Sequence, residues 1–395
     1  MASGSVTREE TAFHHQTHRD LLWSPRDSVL VGQVIDAIVV PTIRPPTYLN
    51  QAANLALALD RPLVTFHSGT ATTAQLARTY LPAKVDLIAI DVRPRKELSL
   101  PAFDTCELLD DGIFTRRSDL SIKRNLALVL ARQLCWSRIL YLDDDITELT
   151  AEDVEKASGL LDRYNAVGFR IGGYPDNSVV CHAYREAGGK QDSFVGGGAL
   201  AVDVGRCDSF FPDIYNDDWF YLLDGNERLQ PTAITGEVKQ YEYDPFQNPE
   251  RARSEELGDV LAEGLYWLLD QGGSITDADQ AHWQNFLLWR RSFIESVATM
   301  VRGSDREEAE KARMLESLGA SLARLAHITP AFCQSYLRAW MADRAEWRAY
   351  LASLPRCEQR SEAIARLWRN GHPRPTRPVG WPARNTRTRR CSTPG

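Results

Sequence analysis

The sequence predicts an α/β protein with a largely parallel sheet, followed by a helical extension. Between about residues 36 and 204, short apolar runs alternate with segments whose apolar residues recur at helical spacing, a pattern typical of strand–helix–strand units. After about residue 250, long amphipathic helical patterns replace the short runs. With 395 residues, the chain can form one large domain or two smaller ones.

The predicted strands are six short apolar runs: AIVVPT (37–42), PLVTFH (62–67), VDLIAIDV (85–92), RILYLDDD (138–145), NAVGFRI (165–171) and ALAVDV (199–204). Helical patterns separate them at YLNQAANLALALD (48–60), TATTAQLARTYL (70–81), SIKRNLALVLARQL (121–134) and TAEDVEKASGLLDRY (150–164). The last of these opens with Thr150 and Asp153 at the spacing of a capping box. In the helical extension, two apolar stripes recur at helical spacing: Leu315, Leu318, Leu322 and Leu325, then Phe332, Tyr336 and Trp340.

These patterns divide the chain into an N-terminal arm (1–30), an α/β domain (31–250), a helical region (251–370) and a basic tail (371–395). We expect the helical region to pack on the α/β domain or on a second copy of it, which would make an oligomer. The tail holds six arginines and no acidic residue, and its composition predicts disorder. The rest of the chain carries a net charge of −13, which argues against a nucleic-acid partner.

The composition also bears on the compartment. No apolar run approaches the roughly 20 residues that span a bilayer, so no transmembrane segment is predicted. The start of the sequence lacks the apolar stretch of a signal peptide. The seven cysteines include no C-x-x-C pair, so they indicate neither a disulfide framework nor a cysteine zinc site. We expect a cytoplasmic protein.

The segment ILYLDDDITEL places three aspartates at the end of an apolar run. If the strand continues through them, Asp143 and Asp145 point to one face and Asp144 to the other. The carboxyl end of a parallel strand is where open α/β sheets bind ligands. Such carboxylates suit Mg²⁺ or Mn²⁺ shared with substrate phosphates. The alternative is that they only solvate a strand end.

Basic residues surround the start of the preceding helix: Arg116, Arg117, Lys123 and Arg124. Cations oppose the helix dipole there, whereas an anion is favoured, so a bound diphosphate would resolve the conflict. Solvated surface cations are the alternative.

Together, S-x-K-R-N-x-A-L and the strand ending in D-D-D resemble the donor site of glycosyltransferases with the GT-A fold, especially those of family 2. In that group a D-x-D motif holds the ribose and the metal that binds the diphosphate of a nucleotide sugar. The resemblance implies a Rossmann-like, mostly parallel sheet. It also implies two sets of site residues: a cation bound by Asp143 and Asp145, and donor contacts at Pro41, Thr42, Arg44, Asp91, Lys123, Arg124, Asp143 and Asp144. Asp91 could equally be a turn residue.

Two later segments resemble the acceptor side of the same family. FVGGGALAVDV resembles its glycine-bearing strand, with Gly197 and Gly198, next to Gly196, allowing close approach of a ligand; a flexible turn is the alternative. IYNDDWFYLL resembles the family's E-D-x-x-L segment, which would make Asp218 the catalytic base, beside acceptor contacts at Asp217 and Trp219. A helix N-cap at Asn216, Asp217 or Asp218 is the alternative.

The chain also departs from the family pattern. His67 and Ser68 stand where the second strand often ends in aspartate, and Gln240 stands where many members have a metal-binding histidine, leaving His282 as a distant candidate. Arg251 and Arg253 could reach phosphate oxygens or instead pair with Glu255 and Glu256. The N-terminal histidines His14, His15 and His18 could bind a metal, but they are interpreted as incidental.

We therefore expect an inverting, metal-dependent glycosyltransferase that uses Mg²⁺ or Mn²⁺ and a UDP- or GDP-linked sugar, with Asp218 as base and an unidentified acceptor. A sugar-phosphate nucleotidyltransferase is one alternative, although no glycine-rich loop follows the first strand. A non-catalytic scaffold protein is the other.

Overall fold

A computed structural model describes residues 17–25, 34–110, 112–114, 118–173, 178–192, 194–224 and 228–369. Its strands are β1 Ala37–Thr42, β2 Leu63–His67, β3 Leu87–Asp91, β4 Arg138–Leu142, β5 Ile146–Thr147, β6 Ala166–Gly173, β7 Ala199–Asp203 and β8 Thr232–Gln240. Its α-helices are α1 Asn50–Leu59, α2 Ala74–Tyr80, α3 Asp104–Leu109, α4 Leu120–Gln133, α5 Ala151–Leu160, α6 Val179–Glu186, α7 Asp217–Tyr221, α8 Pro249–Asp270, α9 Gln280–Gly303, α10 Glu308–Leu325, α11 Pro330–Ser353 and α12 Arg360–Ala365. The predicted basic tail, together with His14 and His15, lies outside the described residues.

The strands form one sheet in the order β3-β2-β1-β4-β7-β6-β8-β5. Strands β3, β2, β1 and β4 are parallel, β7 runs antiparallel to both β4 and β6, and β6 is parallel to β8. The predicted fold class is confirmed: a mostly parallel α/β sheet of Rossmann-like GT-A type with a C-terminal helical region. All six predicted strands are present, while β5 and β8 were not predicted.

The aspartate strand is shorter than predicted. Strand β4 ends at Leu142. Just beyond it, Asp143 N donates to the carbonyl oxygen of Gly198, the residue before β7 (2.8 Å). Ile146 N then donates to Asp143 O (3.1 Å), so the three aspartates form a turn rather than the end of a strand. The prediction that strand alternation orients their side chains was therefore wrong.

Two helical layers cover the sheet because its strands are apolar on both faces. Along β4, Ile139 and Tyr141 join the core on one face, whereas Leu140 and Leu142 join the core on the other. Helices α1, α2 and α5 cover the second face, while α4 and the helical region cover the first. The helical region thus packs on the α/β part of the same chain. Within the described residues, no helix is long and apolar enough to cross a membrane.

Candidate active site

The carboxyl ends of the parallel strands meet at one sheet edge because their pairing is in register. Thr42 pairs with His67 and His67 pairs with Asp91 across β1, β2 and β3. On the other side of β1, the Thr42 hydroxyl donates to Asp144 Oδ2 (2.6 Å). Pro41 and Thr42 are both buried at the end of β1, so the predicted donor residues of this strand border the aspartate turn.

Arg44 bridges two of the three aspartates. Its Nη1 bonds to the Asp144 carboxylate, and its Nη2 lies 3.0 Å from Asp145 Oδ2. Asp144 and Asp145 are buried, whereas about 40% of the Arg44 side chain is exposed. Because one guanidinium contacts both carboxylates, Asp144 and Asp145 share a partner that the prediction did not anticipate.

Asp145 carries negative charge that its surroundings only partly compensate. Burial, followed by the charge of Asp143, raises its pKa to about 6 despite the nearby Arg44. Gln240, at the end of β8, donates from Nε2 to Asp145 Oδ2 at 3.3 Å. The Gln240 Oε1 is buried without a hydrogen-bond partner among the described residues.

Lys123 is buried inside the fold, where it ties α4 to the strand ends. Its ammonium lies 2.9 Å from Thr42 O, 2.7 Å from Ser68 Oγ and 2.9 Å from Asp119 Oδ1, which matches its three N–H donors. Burial lowers its pKa despite the charge of Asp119. Lys123 is therefore not a solvated surface cation, and its donors already have partners within the chain.

Arg124 links the aspartate turn to α7. Its Nη1 lies 2.9 Å from Asp217 Oδ1, and its Nη2 lies 3.3 Å from Asp143 Oδ2. Burial opposes its charge, but Asp217 and Asp143 outweigh that effect and raise its pKa. The buried Asp217 carboxylate also accepts from Asp218 N (3.1 Å). Arg116 and Arg117 lie outside the described residues.

The glycines before β7 make room for these charged groups. A Cβ on Gly197 would lie 2.7 Å from Arg124 Cζ, and one on Gly198 would lie 3.3 Å from Asp143 Oδ2. A Cβ on Gly196 would meet only ordinary contacts, the nearest at 3.4 Å. The Arg124 guanidinium thus leaves no room for a side chain at Gly197. The sequence had suggested only that these glycines allow close approach of a ligand.

A cleft lies beside these charged groups, between α4, the segment that precedes β7, α7 and α8. Its lining includes Arg124, Asp143, Asp218, Trp219 and Glu263. The Asp218 carboxylate accepts from Gly197 N and, at 2.9 Å, from Trp219 N. Burial raises the Asp218 pKa, which strengthens it as a proton acceptor when ionised. Asp143 contributes both to the aspartate turn and to the cleft.

Helix α8 fixes the segment that carries Asp218. Asn216 has a left-handed backbone (φ 58°), and its Nδ2 donates to Asp259 Oδ1 at 3.0 Å. Asp259 and Glu256 in turn bind Arg290 of α9, at 2.6 and 2.9 Å. A Cβ on Gly258 would lie 2.1 Å from the Tyr215 carbonyl oxygen, so α8 contacts this segment directly. Asn216 is the N-cap residue of α7 by position, but its side chain makes no capping bond.

His18 is a residue whose importance the sequence did not indicate. It is 3% exposed, its Nε2 lies 3.1 Å from Glu263 Oε2, and its Nδ1 bonds to Asp270. Its ring also meets Trp219 edge-on, with centroids 5.2 Å apart. Burial opposes its charge, but the two carboxylates raise its pKa to about 9. The N-terminal arm therefore supports the cleft wall, so the interpretation of His18 as incidental was wrong.

The remaining predicted groups have partners within the chain. Asp91 accepts from Ala74 N (2.7 Å) at the start of α2. Arg251 pairs with Glu255 (2.6 Å), as the alternative interpretation expected, whereas Arg253 pairs with Glu250 (2.9 Å). The rings of His67 and His282 also have neighbours within the chain: His67 lies between the hydroxyls of Thr65 and Thr72, and His282 packs on Trp283 and Phe286.

The aspartate turn carries oxygen ligands of the kind that a divalent cation prefers. Within the described ranges, no group of three His, Cys, Asp or Glu residues is arranged as a metal site. Asp143 and Asp145 nevertheless supply hard oxygens, and the unpartnered Gln240 Oε1 lies on a side chain that contacts Asp145. Mg²⁺ commonly takes one or two protein carboxylates and fills its shell with phosphate and water.

No family model and no curated protein matches the chain. Similar solved structures include a mannosyltransferase from Pyrobaculum calidifontis in complex with GDP-Man and Mn2+, at 14% identity and a TM-score of 0.41, covering 85% of this chain and 91% of that chain. A candidate nucleotide-diphospho-sugar transferase from Desulfovibrio desulfuricans G20 has 9% identity and a TM-score of 0.31, covering 64% and 99%. The protein A197 from STIV has 12% identity and a TM-score of 0.25, covering 53% and 85%.

Proposed function

We propose that this chain is a metal-dependent glycosyltransferase that moves a sugar from a nucleoside-diphosphate sugar to an acceptor hydroxyl. One observation carries the proposal: Arg124 joins the acidic turn at the end of β4 to the α7 segment that presents Asp218 in the adjacent cleft. One side chain thus connects a candidate cation ligand, Asp143, to the segment that carries a candidate base. The donor would lie at the aspartate turn and the acceptor in the cleft.

In this mechanism Asp218 takes the proton from the acceptor hydroxyl as it attacks the sugar. Its raised pKa and its position beside Trp219 suit a general base, and direct attack would invert the anomeric configuration. Asp143 and Asp145 would hold a divalent cation, which when bound supplies charge stabilisation for the departing diphosphate. Arg124 would hold Asp143 and Asp217 in position, because its two terminal nitrogens contact one carboxylate each.

The test compares two substitutions in a panel of UDP- and GDP-linked sugars with Mg²⁺ or Mn²⁺. We expect Asp145→Asn to abolish metal-dependent turnover or donor hydrolysis. We expect Asp218→Asn to retain donor binding but to lower turnover about 100-fold or more, because general bases contribute on that order. Asp305→Asn changes an exposed carboxylate between α9 and α10 and serves as the control.

Wild-type activity in Asp145→Asn would contradict the cation site, and unchanged turnover in Asp218→Asn would remove Asp218 from the mechanism. Binding is measured separately, from the shift in thermal stability that a nucleotide plus metal produces. If no nucleotide or nucleotide sugar shifts the stability of the wild type, the donor-site proposal fails as a whole.

A further inference from the structure

Arg44 places a positive charge directly on the acidic turn. Its two terminal nitrogens contact two different carboxylates, those of Asp144 and Asp145, rather than the two oxygens of one. The charge of Asp143 acts on the same guanidinium. A planar guanidinium is well suited to this bridging, because its donors have a fixed geometry.

The same carboxylate of Asp145 belongs to the proposed cation site. Its Oδ2 already accepts both Arg44 Nη2 (3.0 Å) and Gln240 Nε2 (3.3 Å). A divalent cation and a guanidinium repel each other and are attracted to the same carboxylate, so binding of one opposes binding of the other. A cation bound at Asp145 would therefore weaken the contact between Arg44 and this carboxylate and favour displacement of Arg44.

The surroundings allow Arg44, but not the other basic residues of the site, to make that movement. About 40% of the Arg44 side chain is exposed, and it follows the 58% exposed Ile43 in the loop after β1. Arg124 and Lys123, by contrast, are at most 3% exposed and are held by partners within the fold. Only the Arg44 side chain of these three has a route into solvent.

We propose that Arg44 is a displaceable internal cation: it holds Asp144 and Asp145 in the ligand-free protein and is released from Asp145 when a divalent metal ion binds. The inference rests on the donor site of the proposed function. It predicts that Arg44 weakens metal binding in the absence of nucleotide. The released guanidinium would then be available to the incoming diphosphate, whose charge it complements.

The test measures Mn²⁺ binding without nucleotide, by electron paramagnetic resonance and calorimetry. We expect Arg44→Ala to lower the Kd for Mn²⁺ about tenfold or more, because no charge-assisted hydrogen bonds must then be broken. Arg44→Lys keeps the charge but lacks the planar donor fork that contacts both carboxylates, so its Kd should fall by a smaller factor. In both backgrounds, adding Asp145→Asn should abolish the binding.

Arg360→Ala is the matched control. The two terminal nitrogens of Arg360 also contact a carboxylate, that of Asp86. Asp86 lies just before β3, at the sheet edge opposite the aspartate turn. Its loss should leave the Kd unchanged. Circular dichroism checks that each variant is folded. If Arg44→Ala does not fold, the Kd of Arg44→Lys tests the inference.

Two results would overturn the inference while leaving the donor site standing: an unchanged Kd in the Arg44 variants, or a higher one, which would mean that Arg44 supports the metal. Absence of Mn²⁺ binding in every variant would overturn it together with the cation part of the proposed function. Thermal shifts with nucleotide sugars alone would then show whether the donor site survives without a metal ion.

Discussion

At the scale of single residues, His18 shows how a remote partner changes the meaning of a side chain. In the sequence it is one of three histidines in a polar arm. In the structure it is buried against α8, where Glu263, Tyr266 and Asp270 face it, and against Trp219 of α7. Its positive charge is stabilised by acids about 250 positions away, so local sequence carried no signal of it.

His18 predicts a specific dependence of stability on pH. Its pKa is raised from 6.5 to about 9 in the folded protein, so its contribution is fully present below pH 6.5 and is lost as pH rises through 9. At about 1.36 kcal/mol per pKa unit, protonated His18 contributes about 3 kcal/mol to the free energy of unfolding. We expect the difference in unfolding free energy between wild type and His18→Gln to shrink over this range, as measured by urea denaturation.

The exposed His327 provides the control for this prediction. His327→Gln should give a difference from wild type that stays near zero throughout the same pH range. A constant gap for His18→Gln from pH 6 to 9.5 would show that the histidine is not preferentially protonated in the folded state.

At the scale of elements, the short helix α7 depends on α8 for its position. Asn216 combines a left-handed backbone with a hydrogen bond to Asp259. Asn216→Ala and Asn216→Gly both remove that bond, but only alanine pays the steric cost of the left-handed conformation. We expect the alanine variant to be less stable than the glycine variant by about 1 kcal/mol in urea unfolding. Equal stabilities would mean that the segment relaxes to another backbone conformation.

The sequence predicted the elements better than it predicted their side-chain contacts. The strands from β1 to β4, together with β6 and β7, follow from apolar runs. The structure confirms the Thr150–Asp153 capping box, which the sequence could predict because all of its atoms lie within one helical turn. The end of β4 was misplaced because β7 pairing stops at Gly198, some 55 positions further along the chain. The charges of Lys123 and Arg124 were correctly located on α4, but their internal partners come from distant segments, so their burial could not be inferred locally.

At the scale of the whole molecule, the α/β part and the helical region share one hydrophobic core. Phe220 of α7 packs edge-on against Trp340 of α11, with ring centroids 5.2 Å apart, and both rings are fully buried. Asp343 of α11 also accepts from the backbone amides that begin α3, at 2.7 and 2.8 Å. The predicted boundary near residue 250 therefore separates two sequence patterns that are joined by common packing.

This shared core predicts that residues 1–250 will not fold alone. Without the helical region, Phe220 and the first face of the sheet lose their cover, and the carboxylate that caps α3 is absent. We expect the fragment to bind a hydrophobic dye and to lack a cooperative thermal transition. A chain ending at residue 369 keeps every contact described above and should melt like the full chain. Cooperative unfolding of the 1–250 fragment would instead establish the α/β part as an independent domain, with the helical region as an addition to a fold that is already stable.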